Sequence, residues 1–307
     1  METSIASKVS EHSLVKQPSI IMQSAPWVDA HGHLASERWS GVDRARAVAR
    51  ALDRGCTFFL QGGIDPDDWL LQREIAVSFP GKVGIAVGLH PEWICRASER
   101  ELGQGLAAFE AEVLGQSPAF LSMHPVLWGE LGLHFQQDDE PTQRERQERV
   151  FRRCLELLND SGRKEPVVLH VVRAQGRALE IWDEVFGADG PHPGIVHSFG
   201  GSAEAAREWI RRGLLISPSP GVARSKGHET LKRAVAVLPE ESLVFESDCP
   251  DQSPHRDQNP EILGEPCDVL DVARSVARLR GQDSDEEARR LLQCSMANLR
   301  RIGIPLP

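Results

Sequence analysis

Trp27-Val28-Asp29-Ala30-His31-Gly32-His33-Leu34 is the stretch from which the fold can be read. Apolar residues lead into an acid, then into two histidines on either side of a glycine, which is the pattern of a short buried strand with a polar end. In an extended chain alternate residues share a face, so His31 and His33 can aim at one point. Gly32 adds no side chain and lets another group approach. Two converging imidazoles make half of a transition-metal site. A pair of surface histidines at a strand end would give the same letters, so the rest of the chain has to decide.

The same design recurs downstream. Residues 56–60, 83–87, 126–130, 167–170, 194–197, 214–216 and 243–248 are short apolar runs of strand length. Helical spacing fills the intervals at 42–54, 65–79, 99–114, 144–159, 175–186, 203–212 and 229–238, and two more helices follow at 267–280 and 285–301. Gly55 and Pro80-Gly81 supply stops, and Asp65-Pro66 supplies a start. Eight strands alternating with helices predict an α/β fold, a parallel sheet closed into a (β/α)8 TIM barrel. Active sites of such barrels lie at the C-terminal ends of the strands. His31, His33, Glu130, His170, His197 and Asp248 all fall there, and His90 ends the third strand segment.

The 307 residues accommodate one barrel of ~250 residues with a leader. Residues 1–25 are mostly polar and read as a poorly ordered extension, and 26–307 read as a single domain. A net charge of −10 argues against a broad basic surface for duplex nucleic acid. It leaves a nucleic acid substrate open, because bound divalent cations reverse the sign inside a small cleft. The six cysteines form no CxxC pair, which points to a reduced, cytoplasmic setting. No apolar run approaches the ~20 residues of a membrane span, so no membrane partner is expected. Oligomeric state leaves no mark in the sequence.

Four histidines and two carboxylates suit two divalent ions. His31, His33 and Asp248 would serve one, His170 and His197 the other, and Glu130 would bridge them. Mixed imidazole and carboxylate ligands fit Zn²⁺ or Mn²⁺, and Mg²⁺ where phosphate oxygens complete the shell. A metal pair ~3.5–4 Å apart activates a water and clamps attacking and leaving oxygens. That chemistry hydrolyses a phosphodiester or an amide-like bond. Asp248 and Glu130 are the expected catalytic carboxylates: Asp248 orients or deprotonates the water, and Glu130 holds both metals.

Six segments then resemble one family in order and spacing: Asp29-Ala-His-Gly-His, Gly88-Leu-His-Pro, Gly129-Glu-Leu-Gly-Leu, His170-Val-Val-Arg-Ala, His197-Ser-Phe-Gly-Gly-Ser and Glu246-Ser-Asp-Cys-Pro. They resemble the TatD family of metal-dependent deoxyribonucleases, from about Trp27 to Ile302. The resemblance implies a TIM barrel with one to three divalent ions that cleaves phosphodiester bonds, often as a 3′→5′ exonuclease on DNA and in some members on RNA. It maps metal ligands onto His31, His33, Glu130, His170, His197 and Asp248.

This chain departs from that pattern at several positions. Glu92 stands where the family usually has a second histidine after His-Pro, and His134 where it usually has aspartate. Phe135 takes the place of the usual tyrosine, and Gly264-Glu265-Pro266 replaces Asn-Glu-Pro. His90 is placed to hydrogen-bond a scissile phosphate or leaving oxygen. Arg173 is placed to hold a phosphate, and His134 is expected to meet substrate. A barrel of this kind could instead hydrolyse a small ester, lactone or amide, or persist as a weakly catalytic binding subunit.

Overall fold

The first strand, β1 (Trp27–Gly32), is buried throughout, and its neighbours repeat that pattern. The computed structural model describes residues 25–116, 123, 124, 126–137, 140–188, 190 and 192–307. The expected N-terminal extension, apart from Ala25, lies outside them.

Parallel pairing joins β1, β2 (Cys56–Gln61) and β3 (Val83–Gly84). A second parallel run contains β4 (Ala86–Val87), β5 (Leu127–His134), β6 (Val167–Val172), β7 (Gly194–Phe199) and β8 (Leu214–Pro218). The third strand of the sequence reading is thus two pieces, separated by Ile85. The backbone N–H of Ala86 donates to Gln72 Oε1 at 2.9 Å instead of continuing the ladder.

The expected eighth strand at 243–248 closes the barrel without forming a regular strand. Val244 donates to Ile216 O, Ala30 to Phe245 O, and Asp248 to His31 O, at 3.0–3.1 Å. Two further donors of the segment go to side chains, Phe245 N–H to Ser295 Oγ and Ser247 N–H to Asp29 Oδ1, while Leu243 N–H turns back to Glu240 O. Side-chain partners have displaced ladder partners there, and His33 N–H to Cys249 O at 2.7 Å adds one more backbone bond to the closure.

Helices cover the outside. They are α1 (Gly41–Asp53), α2 (Pro66–Ser78), α3 (Pro91–Arg96), α4 (Glu99–Val113), α5 (Pro141–Asp160), α6 (Gln175–Phe186), α7 (Ala203–Arg211), α8 (Glu229–Val235), α9 (Asp268–Leu279) and α10 (Asp285–Arg301). Local chemistry sets their starts: Asp65 caps α2 ahead of Pro66, and Ser98 with Glu101 forms a capping box on α4. Helix α3 has no counterpart in the sequence reading, although Pro91 at its first position is a start signal.

The barrel interior is filled by Val28, Ala30, Phe58, Leu60, Ala86, Leu127, Val168, Ile195, Leu215 and Val244. Met296, Leu299, Ile302 and Ile304 pack against the same cluster at the chain's end. Alternation from these positions points His170, His197 and Asp248 inward. It would point His31, His33 and Glu130 outward, one residue out of phase. Register shifts between Asp29 and Gly32 in β1, and between Trp128 and Leu131 in β5, restore the phase. Among the described residues no helix is long and apolar enough to cross a membrane. All six cysteines are free.

Candidate metal centre

Glu130 is fully buried on β5, and its two oxygens face different imidazoles. Oε1 lies 3.5 Å from His31 Nε2 and 3.3 Å from His33 Nε2, and those two nitrogens are 3.3 Å apart. Oε2 lies 2.5 Å from His197 Nε2 and 3.2 Å from His170 Nδ1. His170 Nδ1 and His197 Nε2 are themselves 2.9 Å apart. Asp248 Oδ1 stands 3.5 Å from His33 Nε2. All six residues expected from the sequence therefore meet at one end of the barrel.

These separations fit a cation. Ligand bonds of ~2.0–2.1 Å around a tetrahedral ion put neighbouring ligand atoms roughly 3.4 Å apart. The three atoms on the Oε1 side match that edge. Glu130 Oε1 is buried with no hydrogen-bond partner among the described residues, as an oxygen held ready for a metal would be. Gly62 closes this side: a Cβ there would come within 2.5 Å of Glu130 Oε1 and of His31 Cε1.

The charges are strongly coupled. Burial alone would neutralise the ionised groups, yet the surrounding imidazoles hold Glu130 well below the usual carboxylate range. Burial lowers His33, but Glu130 and Asp248 carry it up to about 9. Burial and the neighbouring His197 take His31 down to about 4. Burial raises Asp248, and its hydrogen bond to His33 with the other imidazoles outweighs that and keeps it ionised.

His90 joins the cluster, with Nε2 3.3 Å from His170 Nδ1 and 3.6 Å from Glu130 Oε2. Its Nδ1 accepts the Glu92 backbone N–H at 3.2 Å and so caps α3. Burial holds the ring neutral. A neutral ring accepting at Nδ1 carries its proton on Nε2, so His90 presents a donor to the cluster.

His134 Nδ1 lies 3.0 Å from His170 Nε2, the ring nitrogen facing away from Glu130. It also lies 3.5 Å from Glu92 Oε1. The two departures from the family pattern thus face each other, acid and imidazole having changed places. Arg173 follows β6 on the rim, exposed and at φ 53.

Several supporting residues were given no role by the sequence. Asp29 turns both oxygens to Ser247, with Ser247 Oγ donating to Oδ2 at 2.6 Å, so this acid ties β1 to the closing segment. Gln252 Nε2 donates to Asp248 Oδ2 at 2.9 Å. Buried Glu246 accepts the Ser198 N–H at 2.6 Å. Asp29 heads the first of the six motifs and Glu246 the last, whereas Gln252 lies outside them all.

A parallel barrel whose strand ends gather imidazoles and carboxylates at metal-ligand spacing defines a metal-dependent hydrolase of the TIM-barrel type. The family model for TatD related DNase matches residues 28–301, and the chain belongs to that family. It is 30% identical over 267 residues to the 3'-5' ssDNA/RNA exonuclease TatD of Erwinia billingiae, over 85% of this chain and 92% of that one. It is 28% identical over 262 residues to the uncharacterized metal-dependent hydrolase YabD of Bacillus subtilis, over 85% and 93% of the two chains. The fold matches the crystal structure of the TatD homologue YjjV from Escherichia coli with a TM-score of 0.74 at 23% identity, over 92% of this chain and 98% of that one.

Proposed function

We propose that the chain is a two-metal phosphodiesterase that cleaves single-stranded DNA or RNA in the cytoplasm. The observation that carries this reading is Glu130, whose two oxygens face separate sets of imidazoles. His31, His33 and Asp248 would hold one divalent ion and His170 with His197 the other, with Glu130 shared. Zn²⁺, Mn²⁺ and Mg²⁺ all suit such donors. Bound there, the ions supply an acidified water and neutralise charge on the phosphate oxygens.

The chain's own groups do the rest. Asp248 is ionised, is steadied by Gln252 and takes the proton of the attacking water. An oxygen–phosphorus bond forms as the bond to the leaving oxygen breaks. His90 offers its Nε2–H as a hydrogen bond to that oxygen, which takes its proton from solvent. The TatD of Erwinia billingiae, named for 3'-5' exonuclease activity on ssDNA and RNA, supports the choice of substrate.

One feature favours a second reading. The cavity over the cluster, about 810 Å³, is also lined by Asp65, Asp67, Asp68 and Asp251. An acidic wall suits a small uncharged ester or lactone better than a polyanion. Elemental analysis of the purified protein, followed by assays on single-stranded DNA, RNA, bis-p-nitrophenyl phosphate and p-nitrophenyl acetate, separates the two. Cleavage of the phosphodiesters, abolished by EDTA and restored by metal, is expected. Hydrolysis of the acetate alone would overturn the phosphodiesterase reading.

A further inference from the structure

The mouth of the barrel is not uniform in charge. The side formed by the loop after β2 carries Asp65, Asp67 and Asp68 on the cavity wall, and the Arg38 and Arg96 that share the lining are fewer than its acids. The side after β5 and β6 is different. There a second cavity, about 490 Å³, is lined by Phe135, Gln136, Gln137, Arg144 and Arg173, with no acid among the described residues that line it. The Arg144 guanidinium lies 5.2 Å from the centre of the Phe135 ring and donates to Gln136 O at 3.0 Å. Its Nε is buried with no hydrogen-bond partner among the described residues. Arg173 is exposed, and among the described residues no hydrogen bond or ion pair holds it. Helix α6 begins at this rim with no side-chain cap and no acid in its first turn, so its positive end adds to the same field, whereas α5 starts directly behind Glu140.

This basic cavity adjoins the metal cluster directly. Phe135 follows His134, which touches His170. Arg173 stands three residues beyond His170, ~10 Å along an extended chain. Phe135 N–H donates to Val172 O at 3.0 Å, which fixes the two strand ends side by side.

We propose that Phe135, Arg144 and Arg173 form a subsite for the nucleotide next to the one being cleaved. The substrate strand then leaves the cluster over the β5–β6 rim, away from the acidic wall. The two guanidiniums take backbone phosphate, and Phe135 with the stacked Arg144 gives a base its platform. Such a platform tolerates any base, so the subsite reads length and charge rather than sequence. The inference rests on the phosphodiesterase reading and adds where the strand lies.

The test compares wild type with Arg144→Ala/Arg173→Ala and with Phe135→Leu, which keeps the apolar packing without the aromatic face. Cleavage of oligothymidylates of increasing length is measured, together with the salt dependence of binding to a slowly cleaved phosphorothioate oligothymidylate. In wild type, KM falls as nucleotides are added beyond the dinucleotide. The double variant should lose that dependence, and its slope of log affinity against log salt should drop by about 1.4, roughly 0.7 for each phosphate contact removed. Phe135→Leu should weaken oligothymidylate binding roughly 5- to 160-fold, the value of one stacked base. Bound metal, measured on each variant, should stay at the wild-type amount and show that the barrel is intact. If wild type cleaves oligothymidylates and the double variant keeps both the length dependence and the salt slope, the subsite is overturned while the phosphodiesterase reading stands. If wild type cleaves no nucleic acid, both fall together.

Discussion

At the scale of single residues the chemistry divides between Asp248 and the histidines. Asp248 sits at φ 48 at the end of the closing segment, a conformation a non-glycine residue keeps only when its surroundings demand it. Arg173 and Ser198 share that left-handed geometry at the ends of β6 and β7. Asparagine at 248 would still reach the cluster but could not take a proton from water. Asp248→Asn should therefore lower single-turnover cleavage by about 10²–10⁴-fold, with a smaller loss of metal affinity in a parallel titration. Cleavage within threefold of wild type would reduce Asp248 to a ligand. His134 makes a separate prediction. If His170 binds metal through Nδ1, its Nε2–H needs an acceptor, and His134 Nδ1 is 3.0 Å away. Losing such a partner typically costs 10–100-fold in metal affinity. His134→Phe should show that loss in competition with a chelator. Exchanging the pair, Glu92→His with His134→Asp, supplies a carboxylate acceptor and should recover most of it.

At the scale of elements, strand phase is what brings the ligands together. β6, β7 and the closing segment present their ligands by simple alternation, whereas β1 and β5 need a register shift each. Asp29 lies inside the β1 irregularity and fastens β1 to the closing segment through Ser247. Burial pushes this carboxyl well up, against the Ser247 hydrogen bonds that favour its charged form. Asp29→Ala would strand the Ser247 N–H and hydroxyl without acceptors. Each unsatisfied buried group costs about 1–3 kcal/mol, so the variant should lose about 2–6 kcal/mol of stability. Urea unfolding would show this as a lower midpoint with an unchanged slope. A midpoint equal to wild type would mean the closure does not depend on this tie.

At the scale of the whole molecule, one buried acid outside the cluster links stability to pH. Asp268 opens α9, accepts the Glu265 N–H at 3.0 Å, and is pushed up to about 7 by burial, helped by Asp271 and Glu265. The folded state then holds this proton more tightly than the unfolded chain. Its contribution is fully present below pH ~4, the ordinary value for aspartate, and is lost as pH rises through about 7. A tenfold difference in proton affinity between the folded and unfolded chains is worth roughly 1.4 kcal/mol. Relative to wild type, metal-free Asp268→Asn should gain stability as pH rises from 4 to 7, by up to about 4 kcal/mol. Urea midpoints measured across that range would test it, and a constant difference would show that Asp268 is already ionised in the folded protein. The electrostatic contrast between the two sides of the mouth belongs to this scale as well, because it arises from loops distant in sequence.

The sequence by itself determined the barrel, its eight-fold alternation and the six residues that meet at its C-terminal end. These were legible because burial writes itself as apolar runs, and because each ligand ends one of those runs. Several things required the folded chain. Alternation alone places His31, His33 and Glu130 on the wrong face, and only the register shifts, which depend on neighbouring strands, turn them in. The two halves of Glu130 were assigned their partners by packing across the barrel. Asp29 and Asp248 are both acids beside a ligand motif, and only the hydrogen bonds of Ser247 separate the tie from the catalytic candidate. His90 became a donor because Glu92 N–H occupies its other nitrogen, and Glu92 and His134 became a pair because β5 runs four residues past Glu130, to His134. Each of these is a contact between residues far apart in the chain, which no local pattern of letters encodes.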